Sequence, residues 1–229
     1  MTLIEHATPA ALADAIATRL GSALDAALTR DGHATLALAG GRTAPPIFAR
    51  LAAQPRDWSQ VTLLPSDERW VPADHPDRNS AALRSAFAGA DGVRFLDLVP
   101  PDATGMADAG TACLALAEHP QPFAATLLGM GSDGHFASLF PGAPNLATGL
   151  DPVTAAPAMA IVPNPLPAAG PHPRISLTLS RILKSQVIVL AITGGDKRAV
   201  LDTAVAGDTS LPVTALLRAA PDLIVHWSP

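Results

Sequence analysis

The sequence predicts an α/β fold, a mostly parallel sheet with helices on both faces, and three observations predict it. Short runs such as TLALAG (35–40), VTLLP (61–65) and VIVLAIT (187–193) are almost wholly apolar, the pattern of strands covered on both sides. Between such runs, apolar residues recur at helical spacing. Glycine pairs and triplets follow several of the strands, where a parallel strand must turn into its crossover helix.

The elements follow in order. Thr8-Pro9 starts a helix whose Leu12, Ile16, Leu20, Leu24 and Leu28 share one face, and Asp31-Gly32 ends it. The strand 35–40 leads through Gly40-Gly41 into a helix over 44–52. After the strand 61–65 come helical stretches from about Ser80 to Phe87 and from about Met106 to Ala117, then a strand over 125–131. Strands at 175–179 and 187–193, a helix from about Asp196 to Ala206 and a strand at 223–227 complete the pattern. Prolines at 141, 144, 152, 157, 163, 165, 167, 171 and 173 break any long element between residues 141 and 174, so this stretch reads as an irregular wall or lid. The strands flanking it read as parts of one sheet, which makes residues 1–229 a single domain.

With 48% hydrophobic and 15% charged residues, the 229-residue chain can bury a core and is too apolar for disorder. A net charge of -5 without a Lys/Arg block argues against nucleic acid or an anionic membrane surface as partner, so an anionic ligand needs a local cluster of cations. The single Cys113 lies in an alanine-rich helical pattern and reads as a buried structural thiol. No cationic leader precedes an apolar stretch and no run has membrane-spanning length, so the expected location is the cytoplasm.

Four stretches carry chemistry. In LALAGGRTAPP, Gly40, Gly41, Arg42 and Thr43 stand between strand and helix, where unpaired N–H groups and the helix dipole favour an anion; the alternative is a plain strand-to-helix turn. In LLPSDERWVPADHPDRNS, Asp67, Glu68 and Arg69 come directly after a buried strand, at the sheet edge where ligands gather. They are either site groups or a solvated loop with a local ion pair, and Arg78 and Asn79 can be caps and surface groups. In LLGMGSDGHFASLFPG, Gly129, Gly131 and Gly134 permit close backbone approach and offer N–H groups to an oxyanion, His135 can act as a base, and Asp133 can share its hydrogen bonds. The other six histidines read as structural or solvated, and no metal-ligand spacing appears. Finally, Arg174 precedes a strand, and Lys197 opens a helix after Gly194-Gly195; both are candidate anion ligands or surface cations.

Together these stretches resemble the 6-phosphogluconolactonase family, through GGRTAPP, SDERWVP with Asn79 downstream, LLGMGSDGHFASLFPG, PRISLT, TGGDK and LPVTALL. The resemblance implies a Rossmann-like sheet shared with glucosamine-6-phosphate deaminases and isomerases, a phosphorylated sugar lactone as ligand, and no cofactor or catalytic metal. It implies hydrolysis of 6-phospho-D-glucono-1,5-lactone in the oxidative pentose phosphate pathway. His135 would activate water, with Asp67 and Asp133 in support. Gly40 to Thr43, Arg174 and Lys197 would dock the phosphate, with Arg69 nearby, and N–H groups around Gly131 would hold the oxyanion. Two departures stand out. After the D-G-H, deaminases continue with asparagine-glutamate-proline, where this chain has Ala137-Ser138-Leu139-Phe140-Pro141; in the first loop, Arg42, Thr43 and Ala44 replace the common serine and threonine-proline. An amino-sugar-phosphate isomerase or deaminase, or a sensor that binds without turnover, remain the competing readings. Either a monomer or a small homo-oligomer fits.

Overall fold

The computed structural model describes residues 1–167 and 170–229. In chain order the elements are β1 (Thr2–Glu5), α1 (Pro9–Asp31), β2 (Ala34–Leu38), α2 (Ala44–Ala52), β3 (Val61–Pro65), β4 (Asp67–Arg69), α3 (Asn79–Ala86), β5 (Arg94–Phe95) and α4 (Gly110–Ala117). They continue with β6 (Ala125–Gly129), α5 (Leu146–Gly149), β7 (Ala158–Ile161), β8 (Arg174–Leu177), α6 (Leu179–Leu183), β9 (Ile188–Thr193), α7 (Gly195–Val205), α8 (Pro212–Ala219) and β10 (Ile224–Ser228).

Seven strands form one wholly parallel sheet in the order β1-β10-β9-β6-β2-β3-β5. Because successive side chains alternate across a strand, the sheet feeds two cores. Leu36, Leu38, Leu63, Leu127 and Val189 pack with α1, α2 and α3 on one face. Ala37, Leu64, Leu128, Leu190 and Ile192 face the other way, against α4, α6, α7 and α8. The expected layers are therefore present. Helix α1 shows how local signals set its limits: the Thr8 hydroxyl accepts the Ala11 N–H at its start, and Gly32, at φ +74°, donates to Leu28 at its end.

The structure differs from expectation in several elements. The run at 175–179 does not join the main sheet; β8 sits between β4 and β7 in a separate antiparallel sheet. The acidic-basic triplet at 67–69 is strand β4 rather than a loop, and it is buried or half-buried. The proline-rich stretch holds β7 and the single turn α5, although Ala168 and Ala169 within it lie outside the described residues. Alternation with Gly and Pro hides such short elements, since β7 and β8 form only by pairing with each other and β4. The helix expected from Met106 begins at Gly110, and Met106 is exposed. Strands β1 and β5 and helices α6 and α8 lie outside the expected elements; β1, β5 and α6 are too short to show a period. Cys113 is half-buried, its thiol 3.4 Å from the Ala158 carbonyl. Among the described residues no helix is long and apolar enough to cross a membrane.

At the β1–β10 edge, His226 is 1% exposed. Its Nδ1 lies 2.8 Å from Nε2 of His6, and the two rings stack within 5° of parallel. Burial, and then the neighbouring His6 and Arg19, push His226 down to about 4. Between the ordinary value of 6.5 and about 4 the unfolded chain takes up a proton that the folded chain refuses, so stability is lost as pH falls through that window, by on the order of 1–3 kcal/mol. The melting temperature should therefore fall from pH 7 to pH 4.5, and fall less in His226→Leu; equal falls in both proteins would show that the pair plays no part.

Candidate active site

Four of the predicted stretches leave the sheet along one edge. Strands β9, β6, β2 and β3 are consecutive neighbours, and their carboxyl ends deliver Gly194 to Lys197, Met130 to His135, Gly40 to Thr43 and Asp67 to Arg69. From β2 the chain builds outward through β3 to β5, and from β6 it builds the other way through β9 to β10. The crevice over the β2–β6 boundary is thus a topological switch point, where an open α/β sheet binds ligands. Two clefts, of about 360 and 440 Å³, open at the opposite edge and contain none of these residues, whereas a smaller one of about 70 Å³ is lined by Gly40, Gly41 and Asn79. Chemistry, rather than the size of a hollow, locates the site.

His135 stands in the turn after β6, with its side chain 28% exposed and its ring 4.1 Å from that of Phe140 at a tilt of 32°. Its Nδ1 is 2.6 Å from Oδ1 of Asp133, which in the neutral ring assigns the proton to Nδ1 and leaves Nε2 with a free lone pair. Gly131 makes the pair possible. A Cβ there would lie 2.2 Å from Nδ1 of His135 and 2.5 Å from Oδ1 of Asp133. Partial burial alone would raise the Asp133 carboxyl, but the hydrogen bond and charge of His135 bring it below its ordinary value.

The expected oxyanion donors need correction. The Gly131 N–H donates to the His135 carbonyl, Gly134 to Gly131, and His135 to the Asp133 carboxylate. These three groups are spent in closing the turn. Among the described residues, the N–H of Ser132 has no partner.

Asp67 does not touch the imidazole. Its carboxylate accepts from Ser66 Oγ at 3.0 Å and from Ser138 Oγ at 2.5 Å, while the Ser138 N–H donates to Ser176 Oγ on β8. Ser138 lies three residues beyond His135, after Ala137 at φ +47°, so Asp67 steadies the imidazole's loop rather than the ring. Sequence reasoning missed both serines, because their partners are 71 and 38 residues away.

The cations fall into two pairs. On β4 and β8, Arg69 and Arg174 are directly opposite in the ladder. Arg69 donates to the Asp77 carbonyl and Asn79 Oδ1, and Arg174 to the carbonyls of His172 and Gly170, all uncharged oxygens. Burial, and then Arg69, lower Arg174 to about 10. Elsewhere on the same edge, burial and then the charge of Arg42 lower Lys197. The Gly40–Thr43 loop, which follows β2, carries Arg42 itself. A Cβ on Gly40 would lie 2.3 Å from the Asn79 oxygen that holds Arg69, and Gly41 takes φ +89°. No described residue accepts the N–H groups of Gly40 to Thr43, so the start of α2 presents open donors beside Asn79, which holds Arg69. Arg174 stands opposite Arg69 in the ladder, and Lys197 feels the charge of Arg42.

Around this core, Glu68 is buried and accepts the N–H groups of Arg69, Asn79 and Ser80 at 2.8 Å, capping α3, while burial pushes its carboxyl up. Arg78 is not a surface group: it is 3% exposed and donates to the Val71 and Val99 carbonyls. Asn79 caps nothing with its side chain; its amide donates to the Asp67 carbonyl and its oxygen holds Arg69. His75, Asp77 and His172 bring three ligand atoms within 4.8 Å of one another, a grouping invisible to local spacing because His172 and Asp77 are 95 residues apart.

Residues 7–225 match the family model described as glucosamine-6-phosphate isomerases/6-phosphogluconolactonase. A 6-phosphogluconolactonase of Mesorhizobium japonicum is 40% identical, the alignment covering 95% of this chain and 91% of that protein. One of Pseudomonas putida is 38% identical over 98% of this chain and 92% of its own. The crystal structure of a 6-phosphogluconolactonase from Shewanella baltica superposes with a TM-score of 0.92 at 33% identity, covering 100% of this chain and 98% of that one.

The depressed Asp133 carboxyl gives the imidazole–carboxylate contact a direct test. In a carbon-detected titration, Asp133 should titrate below the ordinary range, and His135→Ala should move it upward. An unchanged Asp133 titration in that variant would dissolve the pair.

Proposed function

This chain belongs to the glucosamine-6-phosphate isomerase/6-phosphogluconolactonase family, and from that premise we propose that it is a lactone hydrolase of the pentose phosphate pathway that opens 6-phospho-D-glucono-1,5-lactone to 6-phospho-D-gluconate, with His135 as general base. The observation that carries the base assignment is the 2.6 Å contact of His135 Nδ1 with Asp133, since it leaves Nε2 unprotonated on a half-exposed ring.

Water is a poor nucleophile toward an ester carbon, and negative charge accumulates on the carbonyl oxygen as it adds. Nε2 of His135 takes a proton from the attacking water while the Nδ1–H is held by Asp133, whose negative charge stabilises the resulting imidazolium. The new C–O bond forms at C1, and the carbonyl oxygen becomes an oxyanion. The Ser132 N–H is a loop donor without a partner among the described residues and is available to meet it. When the tetrahedral species collapses, the bond from C1 to the ring oxygen breaks and that oxygen leaves with the proton from Nε2. One imidazole thus serves as base and then as acid.

The phosphate lies at the other end of the sugar. Open N–H groups of Gly40 to Thr43, flanked by Arg69 and Arg174 on one side and by Arg42 and Lys197 on the other, form the part of the edge suited to a dianion. Gripping that tail places the carbonyl before His135 and removes entropy from the attack. The Phe140 ring against the imidazole comes from the segment that distinguishes the chain from the asparagine-glutamate-proline deaminases, which favours the lactonase reading over ammonia release.

These assignments separate kinetically in a pH-stat assay with freshly generated lactone, corrected for spontaneous opening. His135→Ala should lower kcat by about a hundredfold or more with little change in KM. Lys197→Ala or Arg174→Ala should act mainly by raising KM. Near wild-type turnover by His135→Ala would remove the base, and ammonia release from glucosamine 6-phosphate would replace the reaction. Gly131→Ala, whose new Cβ displaces both members of the imidazole–carboxylate pair, should lose at least tenfold in kcat while the melting temperature stays close to that of the parent.

A further inference from the structure

Proton transfer at His135 requires nothing of His172 and Asp77, yet the structure assigns them a role: they form a clasp that fixes the spacing of Arg69 and Arg174, and so position the two guanidiniums for the substrate's phosphate, a role that rests on the reading of this arginine pair as phosphate-binding.

The geometry is reciprocal. Arg69 Nη1 donates to the main-chain carbonyl of Asp77 at 2.7 Å, and Arg174 Nη1 donates to the main-chain carbonyl of His172 at 2.8 Å. The side chains of these same two anchoring residues meet, His172 Nε2 lying 2.9 Å from Asp77 Oδ2. The link thus ties the two loops whose carbonyls set where the guanidiniums stand. Around Gly170, at φ +70°, the parts converge: Arg174 Nη2, Asp77 Oδ2 and Arg69 Nε all lie within 4 Å of the point a Cβ would occupy. Arg69 and Arg174 are opposite in the β4–β8 ladder, where like charges repel, so a tie between their anchors opposes the splaying that repulsion favours. Asp77 offsets one of the two positive charges and leaves a net positive site. His75 braces the same loop, its Nδ1 accepting the Asp77 N–H at 3.1 Å and its ring meeting His172 edge-on at 5.0 Å.

The three side chains also have the spacing of a transition-metal site. Two features favour the clasp. Nδ1 of His75 and Nε2 of His172 are already committed to hydrogen bonds within the loops, and the pair of arginines beside Asp77 repels a divalent cation.

The full-length protein tests this by steady-state kinetics, with inorganic phosphate as a competing probe. His172→Ala should raise KM about tenfold and weaken inhibition by phosphate by a similar factor, with kcat changed less than about twofold. His172→Gln, whose amide can still donate to Asp77, should recover most of that loss. Adding Asp77→Ala to His172→Ala should cost less than a further twofold, since the link is already broken. If His172→Ala leaves KM and phosphate inhibition unmoved while Arg174→Ala raises KM, the clasp is refuted and the phosphate reading stands. If Arg174→Ala itself leaves KM unmoved, the phosphate reading falls and takes the clasp with it. A common drop in melting temperature and kcat for the Ala and Gln variants would mark a merely structural contact. Added Zn²⁺ that raises the melting temperature of the parent but not of His172→Ala would make the cluster a metal site instead.

Discussion

Two arginines directly opposite in an antiparallel ladder are a cost that the fold must carry. At roughly 6 Å and an effective dielectric of about 20, the repulsion between two such charges is on the order of 3 kcal/mol. Arg69 and Arg174 spend their donors on uncharged oxygens, and among the described residues neither is in an ion pair with a carboxylate. Such a pair is tolerable because the anchoring carbonyls hold both guanidiniums in place. Much of the neighbouring structure reads as consequence: Asn79 is turned toward Arg69, Glu68 caps the helix that carries Asn79, and Gly170 and Gly40 lack side chains where these groups converge.

The molecule divides its labour between two sheets. The parallel sheet supplies direction, because all its strands end on one edge and its switch point opens a crevice between β2 and β6. From it come the imidazole, the open N–H groups and Lys197. The small antiparallel sheet supplies the arginine pair. Ser138 is the joint between the two, bonded to Asp67 on β4 and to Ser176 on β8 while standing three residues from His135. A buried carboxylate satisfied by two hydroxyls costs less than one left bare, and removing either hydroxyl would expose that cost. The loop that carries His135 is thereby referenced to the strands that carry Arg69 and Arg174.

Local signals resolved what is repetitive and long. Apolar strands, the α1 face and the Thr8 and Gly32 boundaries depend on residues within one or two turns of each other, and each appears where its spacing indicated. The three strands of the small sheet were harder, since β4 is three charged residues and β7 lies among prolines. The same limit governed the site. Asp133 and His135 are two residues apart, so their bond was foreseeable; Asp67 and Ser138 are 71 apart, and the serine carried no signal of its own. Arg78 looked like a surface cation because nothing nearby reveals that two carbonyls at Val71 and Val99 will enclose it.

Periodicity and glycine placement by themselves therefore determined that the chain builds a parallel sheet and that its glycine-rich and charged stretches follow strand ends. Tertiary structure alone decided which cations become neighbours, which backbone donors remain free and which carboxylate reaches the imidazole. The reason is physical: strand and helix formation is encoded in contacts a few residues apart, whereas the charge and hydrogen-bond partners of a site are set by the register between segments that meet only after the sheets close.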